Sequence, residues 1–312
     1  MSVYEAPVRD IMFVLNHIAG LAEVGALPGC SDVSAELAES VLSEAARFAR
    51  DVLDPLNGPG DREGAHFSGG TVTSPSGFRN AYRAFTAAGW NSIGSDPAYG
   101  GQGLPQVVAT AVQEIWNGAN MAFCLAPMLT SGVIETLSRH ASDEQRATYL
   151  PHLVSGRWTG TMNLTEPQAG SDLSAVETTA TRRGDHYLIR GTKMFITWGE
   201  HDLTENIVHL VLARVPGAPE GVKGISLFIV PSRLPHADGD RTERNDVGCI
   251  SIERKMGIHA SPTCLMRYGE TTGAIGYLVG QENRGLEYMF TMMNHARIAV
   301  GVEGVGCLLY TS

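Results

Sequence analysis

The sequence predicts an α+β multidomain protein, with an all-α N-terminal domain, a middle β-barrel or β-sandwich domain and the start of a C-terminal α-helical bundle. Three observations carry this reading. Between residues 34 and 157 apolar side chains recur at helical spacing. From Trp158 to about residue 275 that period gives way to short β-branched runs separated by Gly, Pro and Asp. From Gly285 the helical period returns. The division expected is 1–33 as an N-terminal extension, 34–157 as the helical domain, 158–279 as the β domain and 280–312 as the opening of the C-terminal helices.

In chain order, Ile11–Leu15 is an apolar run ended by the turn signal Leu27-Pro28-Gly29, which reads as a short helix packed on the body or as a loose tail. Residues 34–53 place Leu37, Val41, Leu42, Ala45 and Phe48 on one helical face, with Ser34 as N-cap. A Gly/Pro-rich loop is expected at 57–77, then a helix from Phe78 to Ala88 closed by Gly89. The glycine-rich stretch Asp96–Pro105 lacks the Lys-Ser/Thr sequel of a phosphate-binding P-loop, so it reads as a turn. Residues 106–139 are helical again. Ser142-Asp143-Glu144-Gln145 is a capping-box start, and Pro151 is expected to begin the next turn. In the β region the runs Glu177–Thr181, Ile207–Ala213 and Ile225–Val230 are strands, and Arg183-Gly184-Asp185-His186 is a hairpin turn.

At 312 residues the chain is long enough for about two cores. Its net charge of -10 argues against unspecific nucleic-acid binding, which needs Lys and Arg to neutralise phosphates. The five cysteines form no CxxC pair and are odd in number, which fits a reduced cytoplasmic protein. The N-terminus lacks the apolar core of a signal peptide, and no run approaches ~18 apolar residues, so no membrane association is expected. His201, His209 and His259 lack metal-ligand spacing, and no metal site is expected.

The most informative stretch is Met162-Asn163-Leu164-Thr165-Glu166-Pro167-Gln168-Ala169-Gly170-Ser171-Asp172. It gathers hydroxyls, backbone donors and small residues after an apolar run, a mixture suited to a loop over a planar polar ligand with a phosphate tail. Alone it is equally an ordinary turn. A second segment, Gly191-Thr192-Lys193-Met194-Phe195-Ile196-Thr197, follows the strand-like run Tyr187–Ile189.

In this order the two segments resemble the acyl-CoA dehydrogenase family of flavoproteins, whose "L-T-E-P-x-A-G-S-D" loop and "G-x-K-x-[WF]-I-T" strand hold FAD. The resemblance extends through Gly280-Gln281-Glu282-Asn283-Arg284-Gly285 to Arg297, over roughly residues 40 to 306. It implies that Met162, Asn163, Leu164 and Thr165 lie at the flavin, that Ser171 reaches the FAD pyrophosphate or the CoA, and that Phe195, Ile196 and Thr197 form a second flavin wall. Phe195 stands where many members have Trp, which keeps a ring surface but loses the indole N–H. The resemblance also implies a substrate-lining role for Asn294, His295, Ala296 and Arg297, and a structural role for Glu166.

The family oxidises the Cα–Cβ bond of acyl-CoA thioesters and passes electrons to electron-transfer flavoprotein. Its catalytic glutamate lies beyond Arg297, outside these residues, so no catalytic residue is assigned and the chain alone is expected to be inactive. Cys307–Ser312 departs from the family's charged helix, and a truncated chain or a frame error is expected there. The intact protein is expected to be a homo-oligomer.

Within the family, Tyr4–Asp10, Phe195–Asp202, Gly221–Pro231 and Lys255–Thr263 resemble the branch that oxidises 3-methylmercaptopropionyl-CoA, 3-(methylthio)propanoyl-CoA, during breakdown of dimethylsulfoniopropionate. A medium- or long-chain acyl-CoA dehydrogenase and an alkylation-response-like flavoprotein that binds DNA are the alternatives.

Overall fold

The computed structural model describes residues 4–30, 33–235 and 242–311. The N-terminal half is helical: α1 (Val8–His17), α2 (Leu21–Gly25), α3 (Ala35–Phe48), α4 (Asp54–Glu63), α5 (Phe78–Ala87), α6 (Gln106–His140) and α7 (Asp143–Val154). A small hairpin, β1 (His66–Ser68) with β2 (Thr71–Thr73), interrupts it. Ser34 caps α3 by accepting from the Leu37 N–H. Ser142 and Gln145 form the expected reciprocal capping box on α7. The N-terminal helix packs on the body through Ile11, Met12 and Leu15.

Three local expectations are corrected. Residues 57–77 are not one loop: a π-helical turn at Ala49–Leu53 carries α3 on into α4, and the hairpin follows. Gly60 is needed there because a Cβ would stand 2.6 Å from the Phe78 ring, and Pro55 sits in the first turn of α4, where no backbone N–H is required. On α3 it is Ala38, not Leu37, that is buried, because Ala38 lies on the same helical face as the buried Leu42 and Ala45, four and seven residues on. Pro151 lies inside α7 rather than starting a turn.

The longest helix, α6, is broken at Asn120, whose backbone leaves helical geometry (φ -158, ψ 84). The side chain explains why the break is stable. Its Oδ1 accepts from the Phe123 N–H at 3.1 Å, capping the second half, and its Nδ2 donates to Leu53 O at 3.1 Å. By length and composition α6 could cross a membrane, but 72% of its most apolar stretch is buried among protein, as in a core helix.

The second half opens with β3 (Trp158–Asn163), β4 (Thr179–Arg183), the twelve-residue β5 (His186–Thr197), β6 (Asn206–Arg214) and β7 (Ile225–Pro231). There follow β8 (Arg233–Pro235), β9 (Thr242–Arg244), β10 (Val247–Ile252), β11 (Thr263–Tyr268) and β12 (Ala274–Leu278), before α8 (Gly285–Thr311). The main sheet runs β10-β11-β5-β12-β7-β6-β3, and β4 pairs with both β5 and β6. That pairing closes β5, β12, β7, β6 and β4 into a small barrel, with β3, β10 and β11 as extensions. The expected 183–186 turn joins β4 to β5, with Gly184 at φ 64.

The helical and β halves share a core. Val133 and Leu137 of α6, Leu150 of α7, Trp158 of β3, Leu210 of β6 and Met289 and Met292 of α8 belong to one buried cluster. Gly160 of β3 makes this contact possible: a Cβ there would lie 2.5 Å from Val133 Cγ2. β3 therefore lies directly on α6, and the loop that leaves β3 emerges beside the helices.

Candidate functional site

The loop after β3 and the outer half of β5 are brought together by three hydrogen bonds. The Met194 N–H donates to Thr165 O at 2.9 Å. Lys193 Nζ donates to Leu164 O at 2.9 Å and to Glu166 Oε1 at 2.7 Å. The Glu166 carboxylate also accepts the backbone N–H groups of Glu177 (2.8 Å) and Thr178 (3.1 Å), and the Gln168 side chain at 2.7 Å. Burial alone would raise the Glu166 pKa, but the Lys193 charge and these donors outweigh it and hold the carboxyl below its ordinary value. Burial also lowers Lys193, to about 8, against the opposing pull of Glu166.

Asn163 is fully buried and its side chain faces protein. Its Oδ1 accepts from the Tyr268 hydroxyl at 2.7 Å, and its Nδ2 donates to Thr161 Oγ1 at 2.9 Å. Thr161 in turn meets His209 Nδ1 at 2.7 Å, and His209 Nε2 meets Ser232 Oγ at 2.9 Å. Burial lowers the His209 pKa to about 3 and that of His201, beside Thr159, to about 4, so both rings are neutral. Among the described residues no cluster of His, Cys, Asp and Glu is arranged to hold a metal.

At the end of β5 and just beyond it the backbone does something unusual. Phe195 (φ 59) and Trp198 (φ 53) both occupy the left-handed region, which bulky side chains rarely adopt and which costs roughly 1–2 kcal/mol per residue. The two residues lie in opposite environments. Trp198 is buried, its backbone N–H donating to Pro262 O and its indole to Ala122 O. Phe195 is turned outward and 56% exposed. Ile196, between them, is core and packs opposite Cys264 of β11. Strain held in this way is characteristic of ligand-binding surfaces.

Met162, Leu164, Thr165 and Thr197 are half-buried and Ser171 is exposed. Among the described residues the hydroxyls of Thr165, Ser171 and Thr197 have no hydrogen-bond partner. Gly170 faces open space, so the protein itself does not require a glycine there. The exposed Phe195 ring and the Leu164–Glu166 stretch are thus carried on two segments joined by the bonds of Met194 and Lys193.

The α8 residues divide. His295 lines a cavity of about 340 Å³ together with Trp90, Trp116, Met128 and Ile134, and its Nε2 is buried without a partner. Burial lowers its pKa, with Glu135 opposing. Ala296 is half-buried beside it. Asn294 and Arg297 are exposed; the guanidinium donates to Asn294 Oδ1 at 2.8 Å and lies 5.5 Å from the Phe290 ring centre. The structure therefore groups His295 with the α6 cavity and leaves Arg297 on the open face of α8. Sequence reasoning missed the roles of Lys193 and Tyr268. The only signal for Lys193 was its place inside the second motif, and Tyr268 carried none.

Residues 35–157 match the N-terminal domain of acyl-CoA dehydrogenases and residues 161–270 match their middle domain. With the barrel set between two helical parts, the chain belongs to the acyl-CoA dehydrogenase family. It is 53% identical, over 97% of its length, to 3-methylmercaptopropionyl-CoA dehydrogenase of Ruegeria pomeroyi, covering 51% of that protein. It is 36% identical over 98% of its length to a butyryl-CoA dehydrogenase of Syntrophomonas wolfei, covering 52% of it. An acyl-CoA dehydrogenase of Bacillus anthracis solved with FAD superposes with a TM-score of 0.71 at 24% identity, covering 88% of this chain and 43% of that one. The chain spans about half the length of the curated relatives it matches.

Proposed function

We propose that this chain holds FAD between the Met162–Ser171 loop and the Phe195–Thr197 segment, as part of an enzyme for α,β-dehydrogenation of acyl-CoA thioesters. The observation that carries the reading is the strained, outward Phe195 on a strand end that hydrogen bonds from Met194 and Lys193 tie to the Leu164–Glu166 loop. This donor set fits the group. Thr165 and Thr197 can hydrogen-bond a flavin ring, Met162, Leu164 and Phe195 offer it apolar contact, and Ser171 can meet the pyrophosphate or the CoA. Asn163 and Ile196 would contribute through their backbone, since their side chains are buried. Bound FAD supplies the two-electron acceptor; this chain's residues orient it, shield it and hold the thioester. The α-proton base is assigned to none of the described residues.

The substrate we assign is 3-(methylthio)propanoyl-CoA, supported by the Ruegeria relative. The cavity beside His295 and Met128 would take the acyl group, with Asn294, Ala296 and Arg297 along the CoA approach. Electron-transfer flavoprotein as acceptor and a homo-oligomeric whole protein belong to the same reading.

The visible spectrum of the purified chain, mixed with FAD and desalted, tests the cofactor. A retained flavin band is expected, and a chain that emerges colourless refutes the reading that these two walls suffice. Titrating the flavin band with acyl-CoAs of rising length tests the substrate. Tighter binding of long straight chains than of the methylthio compound sinks the thioether assignment.

A further inference from the structure

We propose that Lys193 is a positioning residue that sets the separation of the two flavin walls through its buried pair with Glu166. The inference rests on the flavin reading above and deepens it. Lys193 sits one residue from Met194, whose N–H bonds Thr165 O, and two from Phe195. Its side chain is 0% exposed and that of Glu166 3% exposed. The ammonium divides its bonds between the Leu164 carbonyl and the Glu166 carboxylate, which lie on either side of Thr165 in sequence. The same carboxylate is fixed from behind by the Glu177 and Thr178 N–H groups. Thr165 is therefore held between two tethered neighbours, while β5 carries the tether and Phe195 together. One cation fixes one wall relative to the other.

A pair of this kind is a poor way to gain stability alone. Desolvating two charges costs several kcal/mol each, and apolar replacements are often as stable. Its use is geometric: charge-assisted bonds are short and directional, and a carboxylate with four donors leaves the loop no alternative seat.

The test is Lys193→Met, which keeps most of the length and the apolar stem but removes the donors. FAD affinity and the position of the bound flavin band are measured beside the unaltered chain, with thermal unfolding as control. Expected is an FAD Kd about tenfold weaker or more, as loss of a charge-assisted bond implies, with the flavin band moved toward that of free FAD. A folded variant of lower melting temperature whose FAD affinity and band are unchanged overturns the proposal, because the pair would then serve the fold alone. Should Lys193→Met fail to fold, Glu166→Asp draws the carboxylate back by one methylene while keeping both charges. The same weakening and band shift are expected, and an unchanged site overturns the proposal there too. If the unaltered chain binds no FAD, the reading that these two walls suffice falls and takes this proposal with it.

Discussion

Tyr268→Phe isolates one buried hydrogen bond behind the candidate site. The phenol donates to Asn163 Oδ1 at 2.7 Å, and both residues are essentially inaccessible, Tyr268 at 1% exposure and Asn163 at 0%. Phe keeps the ring and its edge-on contact with His209, at 5.8 Å between centres and 83° between planes. What remains is a buried amide oxygen that has lost its donor. Leaving a buried acceptor unsatisfied costs about 1–3 kcal/mol, against about 1 kcal/mol for an ordinary net hydrogen bond. No cavity larger than one oxygen atom is made, so cavity terms add little. Urea unfolding followed by tryptophan fluorescence reads the effect. With a urea slope of about 1–3 kcal/mol/M, a loss of about 2 kcal/mol lowers the midpoint by roughly 1 M. Adding Asn163→Leu to Tyr268→Phe removes both partners, and the double variant is expected to lose less than the two single losses summed. A single-variant loss under about 0.5 kcal/mol, or strict additivity in the pair, refutes the claim that this bond holds the end of β3.

Gly160→Ala forces a methyl group to 2.5 Å from Val133 Cγ2 and is expected to cost about 1–3 kcal/mol through overpacking, read as a lower melting temperature. Ser142→Ala removes one half of the α7 capping box and is expected to cost about 1 kcal/mol, again by thermal unfolding. Stability is expected to fall as pH drops below about 6.5. Burial keeps His201 and His209 neutral, with pKa values of about 4 and about 3, whereas the unfolded chain takes up those protons near the ordinary value. Stabilisation is therefore full above pH 6.5 and is lost on the way down to about pH 4 and below, by on the order of 3 kcal/mol from His201 alone. Urea midpoints measured from pH 7 to pH 4.5 check this, and a flat profile would contradict the buried placement of both rings. Phe195→Ala is expected to weaken FAD binding about tenfold or more while changing stability little, because the ring is mostly solvent-facing. Equal loss of stability and affinity would mean that Phe195 is structural.

The order of helices, strands and helices was legible because it rests on local periods, and those survive in any tertiary setting. Ser34, Ser142 with Gln145, and the Gly184 hairpin were readable for the same reason: each acts within a few residues of itself. The two site motifs were readable as strings, including the place of Phe195. What those strings could not carry was direction. That Phe195 faces outward and Ile196 inward is fixed by where β5 pairs with β11, which sets Ile196 opposite the buried Cys264. Asn163 read as a ligand contact, yet Tyr268, 105 residues away, claims its side chain. The run 57–77 read as loop because Gly and Pro disfavour helix intrinsically, yet residues up to Glu63 are helical and Gly60 is packed too close to Phe78 to carry a side chain. Local propensity and spacing thus determined which elements form, and the resemblance of two short strings proposed which residues belong to the site. Tertiary contact alone decided which way those residues face, because burial and the partners of a buried polar group are properties of the packed chain, not of any short stretch of it.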